Sequence, residues 1–134
     1  RARRQRQMCI RDSGYPDLVE TRMAEGTMFR GPSAVWFRLQ HPLVLGEAPS
    51  PYQRVAVAAD SGNGISAILD LSTHVFVNSD LTINLLRRPV GEWICLNART
   101  HLSSHGGGLA ESALYDEAGL IGRATQSLFV RKRE

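Results

Sequence analysis

The sequence predicts an α+β domain in which an antiparallel sheet wraps one central helix. Three observations carry that prediction. One early segment opens with a full helix start signal, Ser50 followed by Pro51. From residue 74 onward, nearly every segment alternates apolar and polar residues with the period of a strand. The joints between those segments are short, as antiparallel neighbours require. At 134 residues and 43% hydrophobic content, the chain is large enough for one domain with its own core.

Taken in order, residues 1–13 stand apart. The stretch Arg6-Gln7-Met8-Cys9-Ile10-Arg11-Asp12-Ser13 reads like translated adapter sequence at the end of a metagenomic assembly. It has no apolar period and no cap, so an artefactual or disordered tail is expected. Residues 14–33 form an irregular lead-in punctuated by Pro16, Gly26, Gly31, Pro32 and Ser33, with a short strand expected over 18–22. Residues 34–134 are expected to form the single domain. In 34–40, Val35, Phe37 and Leu39 alternate with Trp36, Arg38 and Gln40, and Pro42 ends the strand. The helix from Ser50 ends or kinks at Gly62-Asn63-Gly64, and Ile65, Ile68 and Leu69 continue a second helical stretch. One long strand over 74–88 follows, then strands over 91–102, 108–115 and 120–131. Arg88-Pro89-Val90-Gly91 is a turn, 103–108 a flexible reversal, and Asp116-Glu117-Ala118-Gly119 a tight hairpin loop. A long sheet and one early apolar helix give the hot-dog arrangement.

Three polar residues interrupt faces that otherwise read as core. On the helix, Tyr52, Ala56, Ala59, Asp60 and Asn63 share one face, which directs the Asp60 carboxylate toward the interior. In the 74–88 strand, Ser79 lies on the face of Val75, Val77, Leu81, Ile83 and Leu85. In the last strand, Gln126 lies among Leu120, Gly122, Ala124, Leu128 and Val130. Buried polar groups need partners, since an unsatisfied one costs ~1–3 kcal/mol. A carboxylate, a hydroxyl and an amide around a void would satisfy one another and hold a water molecule. Capping, bulges or an edge position account equally well for each residue taken alone.

Composition narrows the function classes. The net charge of +3 comes from the start of the chain: five of the sixteen Lys and Arg, and one of the thirteen acids, precede residue 14. The remaining 11 basic and 12 acidic residues sum to about −1, so a nucleic-acid partner is not expected. No apolar run approaches the ~18 residues of a membrane span. Cys9 and Cys95 lie far apart, which fits neither a disulfide framework nor a zinc site, and a reducing, cytoplasmic setting is the default. His101 and His105 fall in a reversal without a third ligand and are expected to be a solvent-exposed pair, with no metal. A Gly-x-Ser-x-Gly elbow is missing, and Gly106-Gly107-Gly108 lacks the following helix of a phosphate loop. Arg131-Lys132-Arg133 reads as a solvated terminus, or as a basic cluster for a phosphate tail.

Four segments carry a family resemblance: Arg54-Val55-Ala56-Val57-Ala58-Ala59-Asp60-Ser61-Gly62-Asn63-Gly64, Phe76-Val77-Asn78-Ser79-Asp80-Leu81-Thr82, Arg88-Pro89-Val90-Gly91-Glu92-Trp93, and Tyr115-Asp116-Glu117-Ala118-Gly119 with Gln126-Ser127-Leu128-Phe129-Val130. Over about residues 15–133 the chain resembles the C-terminal half of thioesterase-like proteins of the bacterial thioesterase II type. The resemblance implies half of a double hot dog that hydrolyses acyl-CoA thioesters without metal, cofactor or covalent intermediate. It implies a water held by Asp60, Ser79 and Gln126, with Asp60 as general base. A backbone N–H at the helix break, Asn63 or Gly64, would polarise the thioester carbonyl. It also implies a partner, either a missing N-terminal hot-dog domain or a second copy. A hydratase of this fold would need His where Ile65 stands. Relatives follow the strand hydroxyl with an Asp-His pair and an aromatic stretch, whereas this chain has Asp80-Leu81-Thr82-Ile83-Asn84-Leu85. The alternative is therefore a catalytically degenerate acyl-binding or structural module.

Overall fold

The computed structural model describes residues 18–70 and 72–134. The expectations for the 1–13 tail, including Cys9 and its five arginines, lie outside the described residues. Among those described, seven strands form one antiparallel sheet: β1 Val19–Glu25, β2 Ser33–Leu39, β3 His74–Asn78, β4 Thr82–Leu85, β5 Trp93–Leu102, β6 Gly107–Asp116 and β7 Gly119–Lys132. Their order is β1-β2-β5-β6-β7-β3, and β4 pairs with β7 beside β3. Two helices, α1 Pro51–Ala59 and α2 Gly62–Ser66, lie on one face of this sheet. The hot-dog arrangement is therefore the fold. The sheet starts earlier than residue 34, since β1 pairs with β2 along its length and buries Val19.

Local chemistry explains the helix. Ser50 Oγ accepts from the Gln53 N–H at 3.1 Å, and Gln53 Oε1 accepts from the Ser50 N–H at 3.0 Å, a reciprocal cap. Pro51 sits at the first helical position, where a missing N–H has no cost. Val55, Ala58 and Ala59 face the sheet, packing with Val35, Phe37, Ile94, Leu96 and Leu114. The expected second stretch is real but short, ending at Ser66 and leaving Ile68 exposed.

Two bulges reverse the face reading of the outer strands. Asn78 pairs with Leu128, while Thr82 pairs with Thr125, so four steps on one side meet three on β7. One extra residue therefore splits the expected 74–88 strand and inverts its phase. Phe76 and Asn78 now share a face with Val130 and Leu128, and Ile83 with Ala124, while Val77 turns outward and is 52% exposed. Ser127 clips the bulge: its carbonyl accepts from the Ser79 N–H at 3.0 Å, and its N–H donates to the Asp80 carboxylate at 2.7 Å. A second shift lies where Leu114 pairs with Gly122 but Tyr115 with Leu120. Ile121 is fully buried as a result, and Leu120, expected inside, is exposed. Gly122 is required here, because a Cβ would lie 2.0 Å from the Asn84 carbonyl oxygen.

The β6–β7 hairpin is anchored from its first residue. Asp116, buried, takes a bidentate pair from Arg87 at 2.6 and 2.8 Å and accepts from the N–H groups of Val90 and Ala118, both at 2.8 Å. The Arg87 guanidinium and the two backbone donors hold this carboxyl far below the usual carboxylate range. One side chain thereby fixes the hairpin loop, the 88–91 turn and the end of the β4 segment together.

Candidate active site

The break between α1 and α2 organises the site. Asp60 is the C-cap of α1, and its N–H still bonds the Ala56 carbonyl at 3.3 Å. Gln126, reaching in from the inner face of β7, closes the gap behind it. Its Nε2 donates to the Asp60 carbonyl at 3.3 Å, and its Oε1 accepts from the Asn63 N–H at 3.3 Å. Both backbone groups would otherwise be stranded at helix ends. The approach depends on Gly62, where a Cβ would stand 2.9 Å from Ser112 Oγ and 3.5 Å from Gln126 Oε1.

A buried polar layer supports this clamp. Ser66 Oγ bonds the Gly62 carbonyl and Thr100 Oγ1, each at 2.7 Å, and Thr100 Oγ1 reaches Asn63 Oδ1 at 3.5 Å. Sheet register explains the grouping, since Thr100 pairs with Ala110 and Ala110 with Gln126, which brings three strands together under α2. Ser66, Thr100 and Ser112 are absent from the residues picked out by sequence. The strand alternation carries the signal for two of them: Thr100 continues the inward row of Ile94, Leu96 and Ala98, and Ser112 lies between Ala110 and Leu114.

The trio predicted from sequence is only partly assembled. Gln126 is inward, at 2% exposure. Asp60 is not: its side chain is exposed, because Tyr52, Ala56 and Asp60 make the open stripe of α1 while Val55, Ala58 and Ala59 make the buried one. Ser79, also exposed, lies in the bulge after β3, where its Oγ donates to the Ser127 carbonyl at 3.4 Å. Among the described residues, no hydrogen bond joins the side chains of Asp60, Ser79 and Gln126. Gln126 holds the backbone of Asp60 and leaves the carboxylate to the surface.

That carboxylate has a distinctive setting. It borders an open cleft of about 400 Å³ whose other lining residues, Leu18, Val19, Leu39, Leu43, Ala56, Val57 and Leu81, are all apolar. Of the two candidate N–H donors, that of Asn63 is committed to Gln126. Gly64 is half-buried with open space around it, the nearest atom to an added Cβ being Phe29 Cε1 at 4.0 Å. The other reactive groups lie apart from this cleft. Burial, with the charge of Glu25 adding to it, pushes the Cys95 thiol up to about 11, which leaves little nucleophilic thiolate. His101, exposed, bonds Glu111 at 3.2 Å, and His105 bonds Ser104 at 3.1 Å. Among the described residues, no helix is long and apolar enough to cross a membrane.

Comparison with known proteins follows the same lines. The family model described as "Acyl-CoA thioesterase C-terminal domain" matches residues 2–130. An acyl-CoA thioesterase II, TesB2, from Mycobacterium marinum has a similar structure, with a TM-score of 0.64 at 16% identity, covering 90% of this chain and 52% of that one. A thioesterase family protein from Silicibacter pomeroyi superposes with a TM-score of 0.67 at 19% identity, covering 98% of each chain. A hypothetical thioesterase from Streptococcus pneumoniae, solved with coenzyme A, gives 0.61 at 15% identity, covering 86% of this chain and 88% of that one. This chain thus spans about half the length of the thioesterase II structure it resembles. No curated protein matches its sequence.

Proposed function

The chain belongs to the family of acyl-CoA thioesterase C-terminal domains, and on that premise we propose that it hydrolyses acyl-CoA thioesters with Asp60 as general base. The observation that carries the reading is the cleft, a wholly apolar trough with one carboxylate at its rim, beside a backbone clamped by Gln126. An acyl chain suits the trough, since burying apolar surface contributes roughly 25 cal/mol per Å². In this reading Asp60 takes a proton from a water molecule, whose oxygen attacks the thioester carbonyl. The Gly64 N–H stabilises the developing oxyanion, and the thiolate of the carrier leaves as the tetrahedral adduct collapses. Gln126 fixes Asp60 and Asn63 through their backbones, and Ser79 supplies a further hydrogen bond to the water.

The partner we propose is either a second hot-dog domain preceding this one or a second copy of the chain, pairing along an outer strand of the sheet. The half-length match to the thioesterase II structure supports the first. The setting we propose is the cytoplasm.

Hydrolysis of a series of acyl-CoA thioesters, followed by release of free thiol, tests the proposal. Asp60→Asn is expected to lower kcat by about 10²–10⁴-fold; undiminished turnover in that variant overturns the assignment of the base. Loss of a few-fold or more in Ser79→Ala supports its place at the water. A second reading, a catalytically silent acyl-binding module, is favoured by the Gln126 amide being engaged with backbone rather than with the Asp60 carboxylate. Tight acyl-CoA binding with no turnover in the unaltered protein selects it.

A further inference from the structure

Arg88 differs from its neighbouring arginines in having no carboxylate partner. Arg87 is paired with Asp116, Arg38 and Arg22 with Glu20, and Arg54 sits 4.0 Å from Glu92. Among the described residues, Arg88 has no such ion pair. It is exposed, with its guanidinium 6.0 Å from the centre of the Tyr52 ring, and Tyr52 is itself 52% exposed. An unneutralised cation over one face of a half-exposed aromatic ring offers a charge for a phosphate and, on the ring's other side, a surface on which a flat heterocycle can stack.

Its position relates it to the cleft. Tyr52, Ala56 and Asp60 stand at i, i+4 and i+8 on the open stripe of α1, which places Tyr52 about 12 Å along the helix axis from Asp60. The chain from Leu81 to Arg88 spans the same interval from the other side. Leu81 lines the cleft with Asp60, Ala56 and Val57, and Arg88 meets Tyr52. Helix stripe and strand segment are thus tied at both ends, with the carboxylate at one end and the cation with its aromatic partner at the other.

We propose that Tyr52 and Arg88 form the subsite for the phosphorylated adenosine end of coenzyme A. The adenine stacks on the Tyr52 face turned away from Arg88 and Arg88 takes a phosphate, so that the pantetheine arm runs along the α1 stripe and delivers the thioester to Asp60. This rests on the acyl-CoA reading above. The basic run Arg131-Lys132-Arg133, at the far end of β7 beside His74, is the competing location for those phosphates.

Calorimetric titration of the full chain with coenzyme A and with pantetheine tests the subsite. Arg88→Ala is expected to weaken coenzyme A binding about tenfold, as the loss of one charge-assisted contact does, and to leave pantetheine binding unchanged. Arg88→Lys should retain part of the affinity, and added salt should weaken the unaltered protein more than Arg88→Ala. Equal coenzyme A affinity in the unaltered protein and Arg88→Ala overturns the proposal, as does the absence of any coenzyme A binding, or a tenfold loss in a variant with Arg131 and Lys132 changed to Ala instead. Failure of this subsite leaves thioester hydrolysis intact, whereas failure of the hydrolysis reading leaves the binding comparison intact, so the two are separable.

Discussion

Gln126 does more structural than polar work for its size. Two backbone groups at the ends of two helices depend on it, one as acceptor and one as donor. Gln126→Ala strands both and opens a cavity, so it is expected to lower the unfolding free energy by about 2–4 kcal/mol in urea titration. Asp60→Asn, altering an exposed side chain, is expected to leave stability within about 0.5 kcal/mol. Equal stability of the two variants would remove the clamp from the account. Gln126 was legible as a polar residue on a core face because a single strand parity governs its neighbours Ala124 and Leu128. The exposure of Asp60 was not legible in the sequence, for a different reason. On a nine-residue helix, two adjacent stripes can each be called apolar when the side chains are alanines, and only the sheet decides which is covered.

At the level of elements, the hairpin anchor makes a pH prediction. The folded pKa of Asp116 lies below its unfolded value of about 4. The stability it contributes is therefore fully present above that unfolded value and is lost as pH falls from about 4 toward the folded pKa. Unfolding free energies measured from pH 7 to 2 should drop most steeply below about pH 4, and Asp116→Asn should flatten that drop. An unchanged slope in the variant would place the acid sensitivity elsewhere. The hairpin itself could be read from Asp116-Glu117-Ala118-Gly119, and the helix start from Ser50-Pro51, because both are local chemistry. The two bulges could not. Each is set by a partner strand, through Ser127 with Asp80 in one case and the close Asn84–Gly122 approach in the other.

The molecule as a whole has open borders. β1 and β3 are the outermost strands of the sheet order, and the α1 stripe of Tyr52 and Ala56 is exposed. Unpaired strand edges invite pairing with another chain. The chain on its own is expected to elute from size exclusion, with light scattering, as a dimer or larger species; a stable, monodisperse monomer would overturn the proposed partner. The bulge at 79–81 bears on the same question from an unexpected side. Had β3 and β4 been one uninterrupted strand, either Val75 and Val77 would sit inside or Ile83 and Leu85 would sit outside. The added residue lets both pairs keep their place, and Val77 with its cross-strand neighbour Phe129, 60% exposed, forms an apolar patch on the outer surface. The stickiness of that border is thus a matter of chain length rather than of composition. Excising one residue from the loop would force one of those two flips, Val75 and Val77 inward or Ile83 and Leu85 outward, changing the character of the outer surface without replacing a single side chain.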